Sequence, residues 1–303
     1  MRRRHPHTAA GRRFRPAFTL IELLMVVSII SLLIALLLPA VNSVVHSAKV
    51  AKVVSDIQGL SNAADSFKGQ YHVYPPSRIT LYERAADWDP ATNPAAAPHR
   101  AMIRRIFGTE FDFGIDRDIN GNGTPGEAGP ITLNGQQCLV FFLGGMPVKD
   151  ANGKFTLIGF SSNRRDPFDR MATSRTKFFT SFDATRLSDG GNGMPVYHDI
   201  FNVPGTGPAY GYISTTNASN QYMAETFKNA AGNDIVPAFT PYNQGSANSP
   251  WKPDGFQIIS AGPDNEFGTG GAYDKQNASG ILTGGRTAER DNITNFSEGK
   301  LAG

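Results

Sequence analysis

One segment of the chain has the residue types and spacing of a calcium-binding loop. Residues 116–127 match the pattern D-x-[DN]-x-[DN]-G-x5-E at every stated position. Calcium takes about six to eight hard oxygen ligands, and Gly121 allows the sharp turn that wraps them around one ion. The predicted side-chain ligands are Asp116, Asp118, Asn120 and Glu127, with the backbone carbonyl of Asn122 as a further ligand.

The composition of this loop also fits other kinds of structure. A solvated turn rich in Asp, Asn and Gly would have the same composition, and this alternative stays open. Pro125 disfavours a flanking helix, so we expect a free-standing loop and not an EF-hand pair. The glycines also spell G-x-G-x-x-G, but no strand precedes them and Pro125 interrupts a helix start, which argues against a dinucleotide site.

Signatures of enzymes are missing from the sequence. The six histidines show no metal-ligand spacing, and there is no G-x-S-x-G, Walker or H-E-x-x-H motif. Cys138 is the single cysteine, which excludes an intramolecular disulfide and a cysteine-rich zinc site. It lies in an apolar run, 137–143, that we predict to be a buried strand, so Cys138 is expected to be a small core residue. We therefore expect no enzymatic activity, with a membrane-anchored enzyme as an alternative.

The positive charge of the chain belongs to its first residues. All six charged residues before Ala17 are arginines, and the rest of the chain holds 23 basic and 26 acidic residues. The net charge of +3 is thus a property of the leader, and it gives no support to nucleic-acid binding.

An apolar run of 21 residues, 18–38, follows the arginines and contains one charge. As a helix it would be about 31 Å long, enough to span a bilayer. The arginines predict a cytoplasmic N-terminus with the rest of the chain outside the inner membrane. An ordinary signal peptide has a shorter apolar region and a small-residue cleavage site, and 41–43 is a poor site. The pair Arg12-Arg13 hints at a twin-arginine signal, but arginine pairs are expected by chance in so basic a leader.

The charge inside the apolar run is Glu22, and a carboxylate costs roughly 2.5 to 3.5 kcal/mol at the centre of a membrane helix. Taken alone, Glu22 could simply snorkel to the interface. Its context is AFTLIE, residues 17–22, which closely resembles the processing signal of type IV prepilins and pseudopilins.

This resemblance implies a set of roles. A prepilin peptidase would cut between Ala17 and Phe18 and methylate the new amino terminus, although the family usually has glycine before the cut. Glu22 would become the fifth mature residue and pair with the amine of a neighbouring subunit. Pro39 would be the proline that kinks or locally unwinds the family's helix, or else a plain helix stop. The implied partners are the peptidase, copies of this chain, other pilin-like subunits and an inner-membrane assembly platform.

The elements that position these residues can be read from the periodicity. An apolar stripe with 4, 3, 4, 3 spacing consists of Val53, Ile57, Leu60, Ala64 and Phe67. One helix is therefore predicted to resume after Pro39 and to end at Gly69, with a sheet covering its stripe. The predicted fold is α+β and pilin-like, a long N-terminal helix packed on a C-terminal antiparallel sheet with long loops. The predicted parts are a cytoplasmic leader 1–17, a transmembrane half-helix 18–41, an amphipathic half-helix 42–69 and an extracytoplasmic β-rich domain 70–303.

The body is predicted to contain few strands and no second hydrophobic core that would require a separate domain. The predicted strands are 137–143, 155–160, 196–201, 210–214 and 256–260. Segments 71–76 and 256–264 resemble the major pseudopilins, in which a calcium ion stabilises the C-terminal region, whereas residues 80–255 have no counterpart. On that resemblance, candidate ligands are Asp264, Glu266, Asp274 and Asp291.

The function implied by the resemblance is that of a structural subunit of a pilus-like filament, above all a type II secretion pseudopilin. A minor pilin for adhesion, motility or DNA uptake shares the same N-terminal signal and remains an alternative.

Overall fold

The computed structural model describes residues 19–202, 207–216, 221–228, 233–234, 238–245 and 249–302. The chain divides into two compact units, residues 1–48 and 49–303. Four α-helices occur in the described residues: α1 Leu20–Tyr71, α2 Ala96–Phe107, α3 Gly135–Gly144 and α4 Ala278–Ile281.

The described strands are short and form several small sheets. They are β1 Ile79–Tyr82, β2 Pro130–Leu133, β3 Pro147–Lys149, β4 Phe155–Leu157, β5 Phe160–Ser161, β6 Arg175–Thr176, β7 Leu187–Asp189, β8 Pro195–Tyr197, β9 Gly211–Ser214, β10 Thr240–Gln244, β11 Phe256–Ser260, β12 Gly270–Tyr273 and β13 Ile293–Thr294. The sheet with three strands has the order β13-β11-β9 and is antiparallel, whereas β10 and β12 pair in parallel. The predicted α+β class is confirmed, with several small sheets in place of one.

Helix α1 is longer and more continuous than the sequence predicted. It runs through Pro39, so the interpretation of that proline as a plain stop is wrong. It also passes Gly69 and ends at Tyr71, because His72 takes the left-handed conformation with φ of 62° while its N–H still bonds to Lys68 O. A residue in the left-handed conformation ends a helix whatever its type. Here that residue is His72, whereas Gly69 was predicted to end the helix.

The predicted stripe of α1 is confirmed, since all five of its residues are buried in the larger hydrophobic cluster. A helix and a loop pack on this stripe, whereas the sequence predicted a sheet. Phe67 packs edge-on against Phe142 of α3 and Phe178 of a loop, at ring-centroid distances of 5.8 and 5.0 Å. Asp56 lies outside the stripe but is buried as well, and its carboxylate bonds to the guanidinium of Arg186 at 2.8 Å.

The predicted strand 137–143 is a helix, α3, and the prediction was wrong for a physical reason. All ten residues of α3 are buried, so neither an alternating nor a helical pattern is visible in them. The helix is set by its first turn, where Asn134 and Gln137 form a capping box. Cys138 lies in this helix and is fully buried, as expected of a core residue.

The other predicted strands are confirmed in part. β11 has the predicted bounds 256–260, and β9 agrees with 210–214 to within one residue. The run 155–160 is divided into β4 and β5, and 196–201 is reduced to β8.

A second hydrophobic cluster lies beside the larger one in the described residues. It is built around Phe227, Phe239, Tyr242, Phe267 and Tyr273, and it lies within the same compact unit, 49–303. The body is therefore one unit with two hydrophobic clusters, in agreement with the prediction that no separate domain is required.

Candidate functional site

The first turn of α1 holds the predicted assembly residue. Glu22 accepts hydrogen bonds from the N–H and the hydroxyl of Thr19, both at 2.8 Å, and Thr19 Oγ1 accepts from Glu22 N at 3.3 Å. This reciprocal pair is a capping box, which satisfies two backbone donors at the helix start. The predicted processing residues, Ala17 and Phe18, lie outside the described residues.

The segment of α1 that follows is apolar around its whole circumference. Every large hydrophobic residue from Leu20 to Val45 is exposed, and α1 is the described helix that is long and apolar enough to cross a membrane. Pro39 lies in this stretch without breaking the helix, although it lacks the N–H that Ala35 O would otherwise receive. So large an exposed apolar surface requires lipid or another protein to cover it.

The acidic loop 116–127 is ordered largely by its own side chains. Asp118 accepts from the backbone N–H groups of Gly121, Asn122 and Gly123 at 2.7 to 3.2 Å. Arg170 Nε also lies 3.2 Å from Asp118 Oδ2. Asp118 is therefore engaged by both the loop and a neighbouring segment.

The other predicted ligands of this loop have separate partners. Asp116 Oδ1 accepts from Ala85 N at 2.7 Å, and Asn120 Oδ1 accepts from Asn122 N at 3.0 Å. The amide of Asn122 donates to Glu127 Oε2 at 2.5 Å. Across the described ranges, no three carboxylate, histidine or cysteine side chains converge in a metal-binding arrangement. The calcium site thus stays a prediction.

Gly121 makes the turn that the motif requires. Its φ is +81°, and a Cβ there would lie 2.5 Å from Pro147 O. Both the conformation and the close approach exclude a side chain, as the sequence predicted for this position.

Glu83, directly after β1, faces this loop from another part of the chain. It is 1% exposed, and its Oε1 accepts from the N–H groups of Ile119 and Asn120 at 2.7 and 3.0 Å. Its Oε2 is buried without a hydrogen-bond partner. Burial raises the pKa of the Glu83 carboxyl, and the charges of Asp118 and Glu127 raise it further against the effect of the two backbone donors.

The C-terminal candidates separate into two groups. Asp264 N donates to Asp291 Oδ2 at 3.2 Å, and Asp264 Oδ1 accepts from Glu266 N at 2.8 Å. Burial, together with the nearby charges of Asp291 and Glu266, raises the pKa of Asp264 to about 6. Asp274 instead caps a short 3-10 helix by accepting from Gln276 N, so its oxygen has a structural role.

Comparison with known proteins gives two findings for the chain. The model of the prokaryotic N-terminal methylation motif matches residues 12–38. The type II secretion system core protein G of Pseudomonas aeruginosa is 39% identical over 70 residues, which cover 23% of this chain and 49% of that protein. The chain thus spans about half the length of this curated relative. No solved structure matches the chain.

The N-terminal part of the chain is thus similar to pilin-like proteins. The matched motif contains the AFTLIE sequence and most of the exposed apolar part of α1, where the sequence placed the processing and assembly functions. The matched region is typical of structural pilin-like proteins, and the apolar helix fits inner-membrane anchoring.

Sequence reasoning missed two residues of these sites. Thr19 was treated as part of a cleavage signal, although Thr-x-x-Glu before an apolar run is a recognisable capping box. Glu83 could not be found, because it lies 33 residues before the loop that it contacts and belongs to no local pattern.

Proposed function

We propose that this pilin-like protein is a structural subunit of a filament and acts as a type II secretion pseudopilin in protein export. The observation that carries the proposal is the methylation motif over residues 12–38, on a chain similar to a type II secretion core protein. The long exposed apolar segment of α1 supports it, because a filament packed from such helices would cover that surface.

In this proposal Glu22 sets the register between subunits. In a single chain its carboxylate is satisfied by Thr19, so the charge has local partners. In the filament Glu22 would exchange its hydrogen bonds from Thr19 for the charged amine of Phe18 on a neighbouring chain. In a low-dielectric environment an unpaired carboxylate is costly, which favours this pairing. A shifted neighbour would leave both charges unpaired, so the exchange selects one register.

The proposed location follows from the same segment. The arginine leader would stay in the cytoplasm, where the prepilin peptidase and methyltransferase cuts after Ala17, and the body from residue 70 would lie in the periplasm. The proposed partners are copies of this chain, other pilin-like subunits and the inner-membrane assembly platform of the secretion system.

Mass spectrometry of the membrane-extracted protein tests the processing step. We expect a mature chain that begins at Phe18 and carries one added methyl group. An intact leader, or a start near Val44, would contradict the processing step and leave an ordinary anchor or signal peptide.

Cross-linking of subunits in the membrane tests the role of Glu22. Glu22→Gln should insert normally but lose most cross-linked oligomer, since the uncharged amide cannot pair with a neighbour's amine. Ser28→Ala is the matched control, because the Ser28 hydroxyl donates to Leu24 O within the same apolar helix. Wild-type oligomer levels in Glu22→Gln would show that Glu22 only caps its own helix.

Deletion of the gene tests the assignment to secretion. If the chain is a pseudopilin, deletion should leave secreted proteins in the periplasm. Normal secretion together with the loss of surface pili, adhesion or DNA uptake would assign the chain to a pilus.

A further inference from the structure

We propose that Glu83 and the loop 116–127 form one calcium site, in which Glu83 supplies a ligand that the sequence motif does not contain. This site belongs to the body of the protein and is independent of the proposed role in secretion.

The first argument is the unpaired oxygen of Glu83. A buried polar atom without a partner costs free energy, and nearly all such atoms in proteins are satisfied. Glu83 Oε2 is such an atom, while Oε1 of the same carboxylate is held by the N–H groups of Ile119 and Asn120. Those two donors are residues of the loop itself, so the Glu83 carboxylate lies against the loop.

The second argument is the placement of Asp116. Its Oδ1 is held by Ala85 N, two residues after Glu83, and its Oδ2 lies against the far end of the loop. A Cβ at Gly126, where φ is +76°, would lie 2.8 Å from that oxygen. The first carboxylate of the motif, Asp116, thus lies beside Gly126, the neighbour of the last carboxylate, Glu127.

The third argument is charge. Four carboxylates lie in the loop or against it. Among the described residues, the cation that forms an ion pair with one of them is Arg170, which pairs with Asp118. The four are Glu83, Asp116, Asp118 and Glu127. One guanidinium leaves a surplus of negative charge, which a divalent ion with oxygen preference would offset.

Binding requires the carboxylates to move together, because no three of them converge on one point in the described residues. Glu127 is exposed and bonded to the amide of Asn122, so it must exchange that bond for the ion by rotation of its side chain. Asp118 already holds its loop through three backbone donors and keeps Arg170, and a calcium ion takes ligands at about 2.3 to 2.6 Å in variable geometry. Magnesium demands a near-ideal octahedron and should bind far more weakly.

The test is calcium titration of the full chain in detergent micelles, followed by calorimetry and by the melting temperature. Glu83→Gln is the decisive variant, because its amide oxygen can still accept from Ile119 and Asn120 while the negative charge is removed. We expect a calcium dissociation constant at least tenfold higher than that of the unchanged protein, with no loss of melting temperature in chelator. Glu127→Gln, on an exposed residue, should weaken binding to a similar extent and tests the site even if Glu83→Gln does not fold.

Asp65→Asn, which replaces an exposed carboxylate of α1 outside both candidate calcium loops, is the control and should leave the dissociation constant unchanged. Asp264→Asn tests the alternative site in the C-terminal loop. A calcium affinity that is unaffected by both Glu83→Gln and Glu127→Gln would overturn the proposal. Loss of binding in Asp264→Asn alone would place the ion at the C-terminal loop and would overturn it equally. Absence of calcium binding by the unchanged protein would show that Glu83 is simply a buried carboxyl.

Discussion

Replacing Asp56 with alanine is expected to destabilise the body strongly, although Asp56 lies on a helix that the sequence makes amphipathic. The Asp56 and Arg186 side chains are 7% and 11% exposed, and their charged atoms lie 2.8 Å apart. Lys52 also approaches Asp56, at 2.9 Å, but it is half exposed and contributes little. The alanine variant therefore leaves the Arg186 guanidinium buried without its carboxylate.

The loss of stability in Asp56→Ala depends on the contacts that Arg186 retains in this variant. Breaking a buried ion pair by removing one partner costs about 3 to 5 kcal/mol. Arg186 still donates from Nε to His198 O at 2.8 Å and lies 4.4 Å from the centroid of the Tyr197 ring. We therefore expect the lower end, about 3 kcal/mol, which lowers the melting temperature by about 6 to 12 °C for a body of this size.

Thermal unfolding of the full chain in detergent, followed by near-ultraviolet circular dichroism, measures this loss. Asp65→Ala is the control, since Asp65 is exposed on the same helix and its contact is a hydrogen bond from Tyr74 at 3.1 Å; it should cost about 1 kcal/mol or less. Arg186→Met combined with Asp56→Ala should be less destabilised than the sum of the two changes, because no unpaired charge then remains. Equal effects of Asp56→Ala and Asp65→Ala would refute the importance of the buried pair.

Two further predictions concern the backbone and the pH dependence of stability. Gly135→Ala should destabilise the body by several times the effect of any surface change, because its Cβ would collide with the carbonyl oxygen of Tyr212; Gly69→Ala, with open space around it inside α1, should instead stabilise by about 0.5 to 1 kcal/mol, and denaturant titration compares the two. Burial lowers the pKa of His198 to about 4, so the unfolded chain takes up a proton near pH 6.5 that the folded chain refuses. The contribution of His198 to the free energy of unfolding should be fully present above pH 6.5 and should fall by up to about 3 kcal/mol as the pH drops toward 4. The free energy of unfolding should depend less steeply on pH in His198→Asn, and equal pH dependences would contradict the role given to His198.

The parts of the fold that were predictable are those with a local signal. The apolar run, the stripe of α1 and strand β11 follow from composition and periodicity alone. Helix α3 was predicted as a strand because it is buried on every side and so carries no period. Its capping box, Asn134 with Gln137, was the one local sign of a helix.

The candidate sites show the same division. The acidic loop was identified by its spacing, and the structure places Gly121 in the conformation that the motif requires. Glu83 and the ion pair of Asp56 with Arg186 depend on residues far apart in the chain, so no window of sequence contains them. The end of α1 was misplaced by two residues because His72, and not a glycine, takes the left-handed conformation.

The pairing of Asp56 with Arg186 also sets an order of events during biosynthesis. The two residues are 130 positions apart, and a ribosome adds about 5 to 20 residues per second. Roughly 7 to 26 s therefore pass between the synthesis of the helix and that of its buried partner. During this interval the core that buries the stripe of α1 is incomplete, while the apolar segment before it has already been synthesised. We therefore expect the apolar segment to enter the membrane before the body has finished folding.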